Sequence, residues 1–141
     1  MTYEDYKRLK REVAFYPLSN QRWETKKSYK ITKNLVIPPM RTNGATVPPV
    51  PPARTILPPN IPDFAIGWLI HDYYCQKEQY QLADYLLTLC VDYELQMQEE
   101  NAELSFMTVL RGKLIINLPK LWHKLAYKIK PIKSLEELKD Q

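Results

Sequence analysis

Thr42-Asn43-Gly44-Ala45-Thr46-Val47-Pro48, a proline-rich run, Ile70-His71-Asp72 and then Ala83-Asp84 form the stretch on which the reading of the chain turns. Residues Pro38 to Pro62 hold nine of the twelve prolines, which excludes helix and central strand there. The run separates two kinds of sequence. After it, Asp63 to Tyr74 is predicted helical. Ala65, Ile66, Trp68, Leu69 and Ile70 make that helix apolar almost all round, so it should be buried. Lys77 to Glu99 is predicted as the next helix, with Leu82, Leu86, Leu89, Tyr93 and Met97 as its core stripe. A short turn between them implies antiparallel packing, which brings Asp84 level with His71 and Asp72.

Before the proline run the period changes from helical to alternating. Tyr29 and Ile31 alternate with Lys30 and Thr32, and Leu35-Val36-Ile37 follows a Lys33-Asn34 turn, so a small antiparallel sheet is expected, with Trp23 opening an earlier strand. Thr2 to Tyr16 reads as a short basic helix. Thr2 is placed as its cap, Glu4 and Asp5 lie in its first turn, and Tyr6, Leu9 and Val13 form a narrow apolar stripe. Such a helix must dock on the domain or on a neighbouring chain to be stable. Toward the C-terminus, Ala102 to about His123 is a third helix with Phe106, Val109, Leu110 and Leu114 inward. Pro119 is expected to kink or restart it, and Leu121, Trp122 and Leu125 to continue its apolar face. Ser134-Leu135-Glu136-Glu137 is a capping box for a last short helix.

The predicted architecture is α+β: a small antiparallel β-sheet, a proline-rich loop and a three-helix cluster. It divides into a basic helix or arm at 1–20, one domain at 21–126 and a basic tail at 127–141. The 141 residues suit a single modest core, and 45% hydrophobic with 26% charged residues is ordinary globular composition. No run of eighteen apolar residues exists, so no membrane span is expected, and the charged start Met1-Thr2-Tyr3-Glu4-Asp5 does not read as an export signal. Cys75 and Cys90 are expected as free thiols. Neither belongs to a CxxC pair, which argues against a structural zinc site. Residues 1–62 carry eleven Lys/Arg against four acids, residues 63–103 nine acids against Lys77 alone, and residues 104–135 seven bases and no acid. Intramolecular complementarity between an acidic middle and basic flanks accounts for this pattern; a docking face for an acidic partner or nucleic acid is the alternative.

His71, Asp72 and Asp84 are the candidate site. An imidazole with converging carboxylates can bind a divalent metal, or the His can act as a base oriented by one acid. The same three residues also suit a buried hydrogen-bonded knot, in which His71 bonds Asp84 and Asp72 ties down the loop carrying Thr42, Asn43, Gly44 and Thr46. His123, among basic neighbours, reads as a surface or interface residue. His-Asp metal phosphohydrolases need a further upstream His, and none precedes His71. His71-Asp72-Tyr73-Tyr74-Cys75 is similar to the secreted phospholipase helix, but three glycines and two cysteines do not supply that family's calcium loop and disulfides. GxSxG, P-loop and Rossmann glycine patterns are missing.

The order Thr42-Asn43-Gly44-Ala45-Thr46-Val47-Pro48, Ile70-His71-Asp72, Ala83-Asp84 resembles a family of small phage and prophage proteins known as domain of unknown function 1353. Its usual pattern is T-D-G-A-S-V-P, a proline-rich link, H-D-x-x-Y and A-D. The resemblance spans roughly residues 22 to 125. Here Asn43 replaces the usual Asp, Thr46 the usual Ser, and Cys75 a Tyr. The resemblance implies a phage-encoded, virion-associated structural protein, in the virion or the host cytoplasm. Its expected partners are other phage structural proteins or further copies of itself, rather than nucleic acid, and no cofactor is expected. The alternative is a small hydrolase of a phosphoester, lipid or cell-wall bond, with His71 as base or metal ligand and Asp72 and Asp84 as ligands or orienters of a divalent metal.

Overall fold

A computed structural model describes residues 1–18, 22–42 and 62–139. The architecture is α+β, with two small antiparallel sheets and a helical half. Helix α1 (Tyr3–Glu12) begins in a capping box. The Thr2 hydroxyl accepts from the Asp5 N–H while the Asp5 carboxylate accepts from the Thr2 N–H. Strands β1 (Tyr16–Pro17), β2 (Trp23–Glu24) and β5 (Arg41–Thr42) form one sheet with β2 in the middle. Strands β3 (Tyr29–Thr32) and β4 (Leu35–Ile37) form a hairpin. In β3 the alternation holds: Tyr29 and Ile31 are buried and Lys30 is exposed. Helix α1 does not stand apart, because Tyr6 and Leu9 join Tyr29, Ile31 and Ile37 in the main core.

After a 3-10 turn at Pro62–Phe64 come α2 (Ala65–Gln76), α3 (Tyr80–Glu100) and α4 (Phe106–Tyr127), then a short α5 (Glu136–Lys139). Helix α2 is buried on most sides, as expected from its composition. Its contacts with α3 run in opposite chain directions: Gly67 faces Leu87 and Cys90, whereas His71 faces Asp84. The α3–α4 pair shows the same order reversal, with Gly112 against Val91 and Leu95 and His123 against Asp84. The three helices therefore form an up-down-up cluster. A Cβ at Gly67 would lie 3.0 Å from Leu87 Cδ1 and 3.2 Å from Cys90 Cβ. The closeness of α2 to α3 depends on that missing atom.

The buried face of α3 is rotated from the expected stripe. Ala83, Asp84, Leu87, Cys90, Val91, Glu94 and Gln98 are inside with Leu86, while Leu82, Leu89, Tyr93 and Met97 are only partly covered. Two acids, Asp84 and Glu94, therefore lie on the buried face. One of them, Glu94, accepts from Tyr6 Oη at 2.5 Å, Lys10 Nζ at 2.5 Å and Gln98 Nε2 at 2.9 Å, and so fastens α1 to α3. In α4 the inward residues are Thr108, Gly112, Ile115, Pro119 and His123. The predicted inward face is corrected: Phe106, Leu121, Trp122 and Leu125 are exposed, and Val109, Leu110 and Leu114 half-buried. Pro119 does not restart α4, which is assigned as one helix through it. At α5 the expected box is not formed as such: the Glu137 carboxylate accepts from the Lys133 N–H, and the Glu137 N–H bonds the Ser134 carbonyl.

Helices α2, α3 and α4 are each followed within two residues by a left-handed non-glycine: Glu78 (φ 59°), Ala102 (φ 56°) and Lys128 (φ 55°). Each carries a side chain where glycine is the favoured residue. Exchanging where glycine sits should move stability in opposite directions. Gly67→Ala is expected to cost about 1–3 kcal/mol through overpacking, and Ala102→Gly to add roughly 1 kcal/mol by relieving the left-handed residue. Urea denaturation of the two variants measures both.

Candidate functional site

The site lies where α2, α3 and α4 meet at one end of the cluster. Asp84, in the first turns of α3, is buried and holds an imidazole on each oxygen. His71 Nε2 is 2.9 Å from Oδ1, and His123 Nδ1 is 2.7 Å from Oδ2. An ionised carboxylate only accepts, so both rings donate to it. For neutral rings this geometry assigns the Nε2–H tautomer to His71 and the Nδ1–H tautomer to His123. The nitrogens left with lone pairs are His71 Nδ1 and His123 Nε2. The two rings lie nearly parallel, 16° apart with centroids at 5.7 Å. Trp68 meets His71 edge-on at 5.7 Å and Tyr80 stands 4.7 Å from the His123 ring, so both imidazoles are held in aromatic walls.

Cys75 is one helical turn after His71 and shares its face of α2. Its Sγ is 3.7 Å from His71 Nδ1, 3.6 Å from His71 Nε2 and 3.9 Å from His123 Nε2. Burial, and then the charges of Asp84 and Asp72, push this thiol up to about 12. Burial thus favours the protonated thiol of Cys75 over the thiolate. Both cysteines are free, as expected.

Asp72 lines the same pocket but is not bonded to the imidazoles. It accepts from the Thr42 hydroxyl, which ties the end of β5 to α2. Thr42 is thus joined to the helices at the first residue of the expected loop, whereas Asn43, Gly44 and Thr46 lie outside the described residues. Of the three predicted site residues, His71 and Asp84 are in direct contact and Asp72 sits on the neighbouring side. His123 is the correction. It is buried, not a surface residue, because it lies on the same face of α4 as Gly112, Ile115 and Pro119 at spacings of three and four. That spacing was the available signal; the lysines beside it point elsewhere on the helix.

The cluster opens onto a pocket of about 330 Å³, lined by Arg41, Asp72, Tyr80, Trp122 and Tyr127 besides His71, Cys75 and His123. Tyr80 and Tyr127 stack at 4.6 Å across it. Chemically, the arrangement supplies two lone-pair nitrogens and a sulfur at the floor of a cleft, backed by one carboxylate that holds both rings. It is a carboxylate–imidazole centre set in a helical cluster. No family model matches the chain, and neither a curated protein nor a solved structure matches it.

Asp84 should be the residue on which this end of the cluster depends. Asp84→Asn keeps the shape but supplies only one acceptor, so one imidazole N–H loses its partner. A loss of about 1–3 kcal/mol is expected in denaturant melts. In the native chain, nitrogen NMR of the rings should show His71 as the Nε2–H and His123 as the Nδ1–H tautomer.

Proposed function

We propose that this chain is a divergent member of domain of unknown function 1353 and works as a phage-encoded, virion-associated structural protein, through protein–protein contacts. What supports the contact role is the outer face of α4. Met107, Leu114, Leu118, Leu121 and Leu125 recur at spacings of seven, four, three and four, the seam of a helix that meets another apolar surface. Leu114 and Leu118 lean on the core cluster of Phe64, Trp68, Leu87, Val91 and Ile115. Toward its ends the face is open: Phe106 is 79% and Leu125 70% exposed, and Leu121 and Trp122 are more than half exposed. A face this apolar on a surface helix marks an interaction site.

The charge around it selects the partner. Arg111, Lys113, Lys120 and Lys124 lie along α4, Lys128, Lys130 and Lys133 follow, and α4 has no acid. Two copies meeting through this face would oppose like charges. The fitting occupant is a different phage structural protein that presents an apolar strip rimmed by Asp and Glu. In particles purified from the encoding phage, mass spectrometry should find the chain at a fixed copy number. Leu121→Glu with Leu125→Glu should leave the circular dichroism spectrum unchanged and remove the chain from particles. Wild-type chain missing from particles, or the double variant present at the wild-type copy number, would sink the proposal.

A second reading, the small hydrolase, is supported by the pocket above the two imidazoles. In it His71 is the base, oriented by Asp84, while Asp72 orients the loop through Thr42. Turnover of a phosphodiester or ester probe that is lost in His71→Gln would favour it.

A further inference from the structure

We infer that His71, Cys75 and His123 are the three protein ligands of a zinc ion, with Asp84 holding both imidazoles from behind and the fourth position open to the pocket. The ion was expected, if present, on His71, Asp72 and Asp84. The geometry selects a different set. Both oxygens of Asp84 are already engaged by the imidazoles, and one oxygen of Asp72 accepts from the Thr42 hydroxyl. The three potential ligand atoms of His71, Cys75 and His123 all lie within 4.8 Å of one another.

Three independent features point to this ion. The first is spacing. Nitrogen at 2.0–2.1 Å and sulfur at 2.3 Å from a tetrahedral centre stand about 3.6 Å apart. Cys75 Sγ is 3.7 Å from His71 Nδ1 and 3.9 Å from His123 Nε2. The second is the tautomer pair. Because each ring donates one N–H to Asp84, His71 Nδ1 and His123 Nε2 keep their lone pairs and stand 3.7 and 3.9 Å from the sulfur, which lies 3.6 Å from His71 Nε2 as well. A carboxylate behind a ligating imidazole is the usual outer support of zinc histidines, fixing the ring and raising its basicity. Here one carboxylate serves two rings. The third is donor chemistry. Two imidazoles and a sulfur suit zinc and are poor ligands for magnesium or calcium, which take oxygen.

A three-ligand site is the open type, in which the fourth position takes water or a ligand from solution. It needs no CxxC pair. Arg41 lines the same pocket, so an anion entering beside the ion would meet a cation as well. On binding, Cys75 releases its thiol proton to solvent and the sulfur coordinates as thiolate. The inference concerns the ion alone and stands whether the chain is a contact protein or a hydrolase.

Cobalt(II) is the probe, because its spectrum reports ligand type and geometry. Full-length chain without an affinity tag is stripped with a chelator, dialysed and titrated with Co²⁺. One equivalent per chain should bind, with intense visible bands of a four-coordinate centre and a near-ultraviolet thiolate-to-cobalt band, both displaced by Zn²⁺. Cys75→Ser should abolish the near-ultraviolet band and Cys90→Ser should leave it. Asp84→Asn keeps all three ligands and should weaken binding by about 10–100-fold. Failure of the wild-type chain to take up one Co²⁺, or a thiolate band that survives Cys75→Ser, would overturn the inference without reference to phage particles or turnover.

Discussion

A single carboxylate shared between two imidazoles ties the three helices together. Asp84 comes from α3, His71 from α2 and His123 from α4, so one side chain closes the end of the cluster. A buried charge is costly unless its oxygens are satisfied. Here each oxygen accepts from a ring nitrogen at 2.7–2.9 Å, and charge-assisted bonds of this kind are roughly twice as strong as neutral ones. Removing any one partner leaves a polar group in an apolar setting. The helices must also be close enough for the bonds to form. Gly67 on α2 and Gly112 on α4 each leave room for a side chain of α3, Leu87 in one case and Val91 in the other. The polar knot and the glycine crossings therefore support one another.

Helix α3 carries a second buried acid ten residues on, roughly 15 Å along its axis. Glu94 does for α1 what Asp84 does for α2 and α4. Apolar burial supplies most of the driving force, but it does not specify which face of a helix meets which neighbour. The two acids do, because each has only one set of partners that satisfies it. This also accounts for part of the charge pattern along the chain. The acidic middle is answered from the N-terminal side by Lys10 on Glu94 and by the Tyr3 hydroxyl on Glu100. On the C-terminal side, Lys113 and Lys124 of α4 are exposed on its surface.

The sequence was most legible where one periodicity dominated. Tyr29 and Ile31 gave β3, the Lys33-Asn34 turn gave the hairpin, Thr2 with Asp5 gave the start of α1, and a short link between two helices brought Asp84 to His71. It was misleading on α4, which has two apolar faces. The more hydrophobic one, with Leu121, Trp122 and Leu125, looks like core and is outside. The inner one contains Thr108, Gly112, Pro119 and His123, residue types that ordinarily argue for surface or for a break. What decides between them is not hydrophobicity. Gly112 allows α4 to approach Val91 and Leu95, and Asp84 requires a second donor. Both are properties of the partner helix, invisible to any window along α4 alone. The surroundings of Cys75 are hidden in the sequence for a related reason: they depend on His123 being inside.

The composition of the knot explains why it opens toward a sulfur rather than closing on itself. A carboxylate with one imidazole is complete once its other oxygen finds a donor, and a serine or a backbone N–H would serve. A second imidazole satisfies that oxygen but brings a new acceptor of its own. His71 Nδ1 and His123 Nε2 stand 3.7 and 3.9 Å from Cys75 Sγ, and a thiol has one weak proton to offer between them. The site holds more lone pairs than donors. Water from the pocket can meet that demand, and so can a cation; only the cation makes use of the sulfur as well.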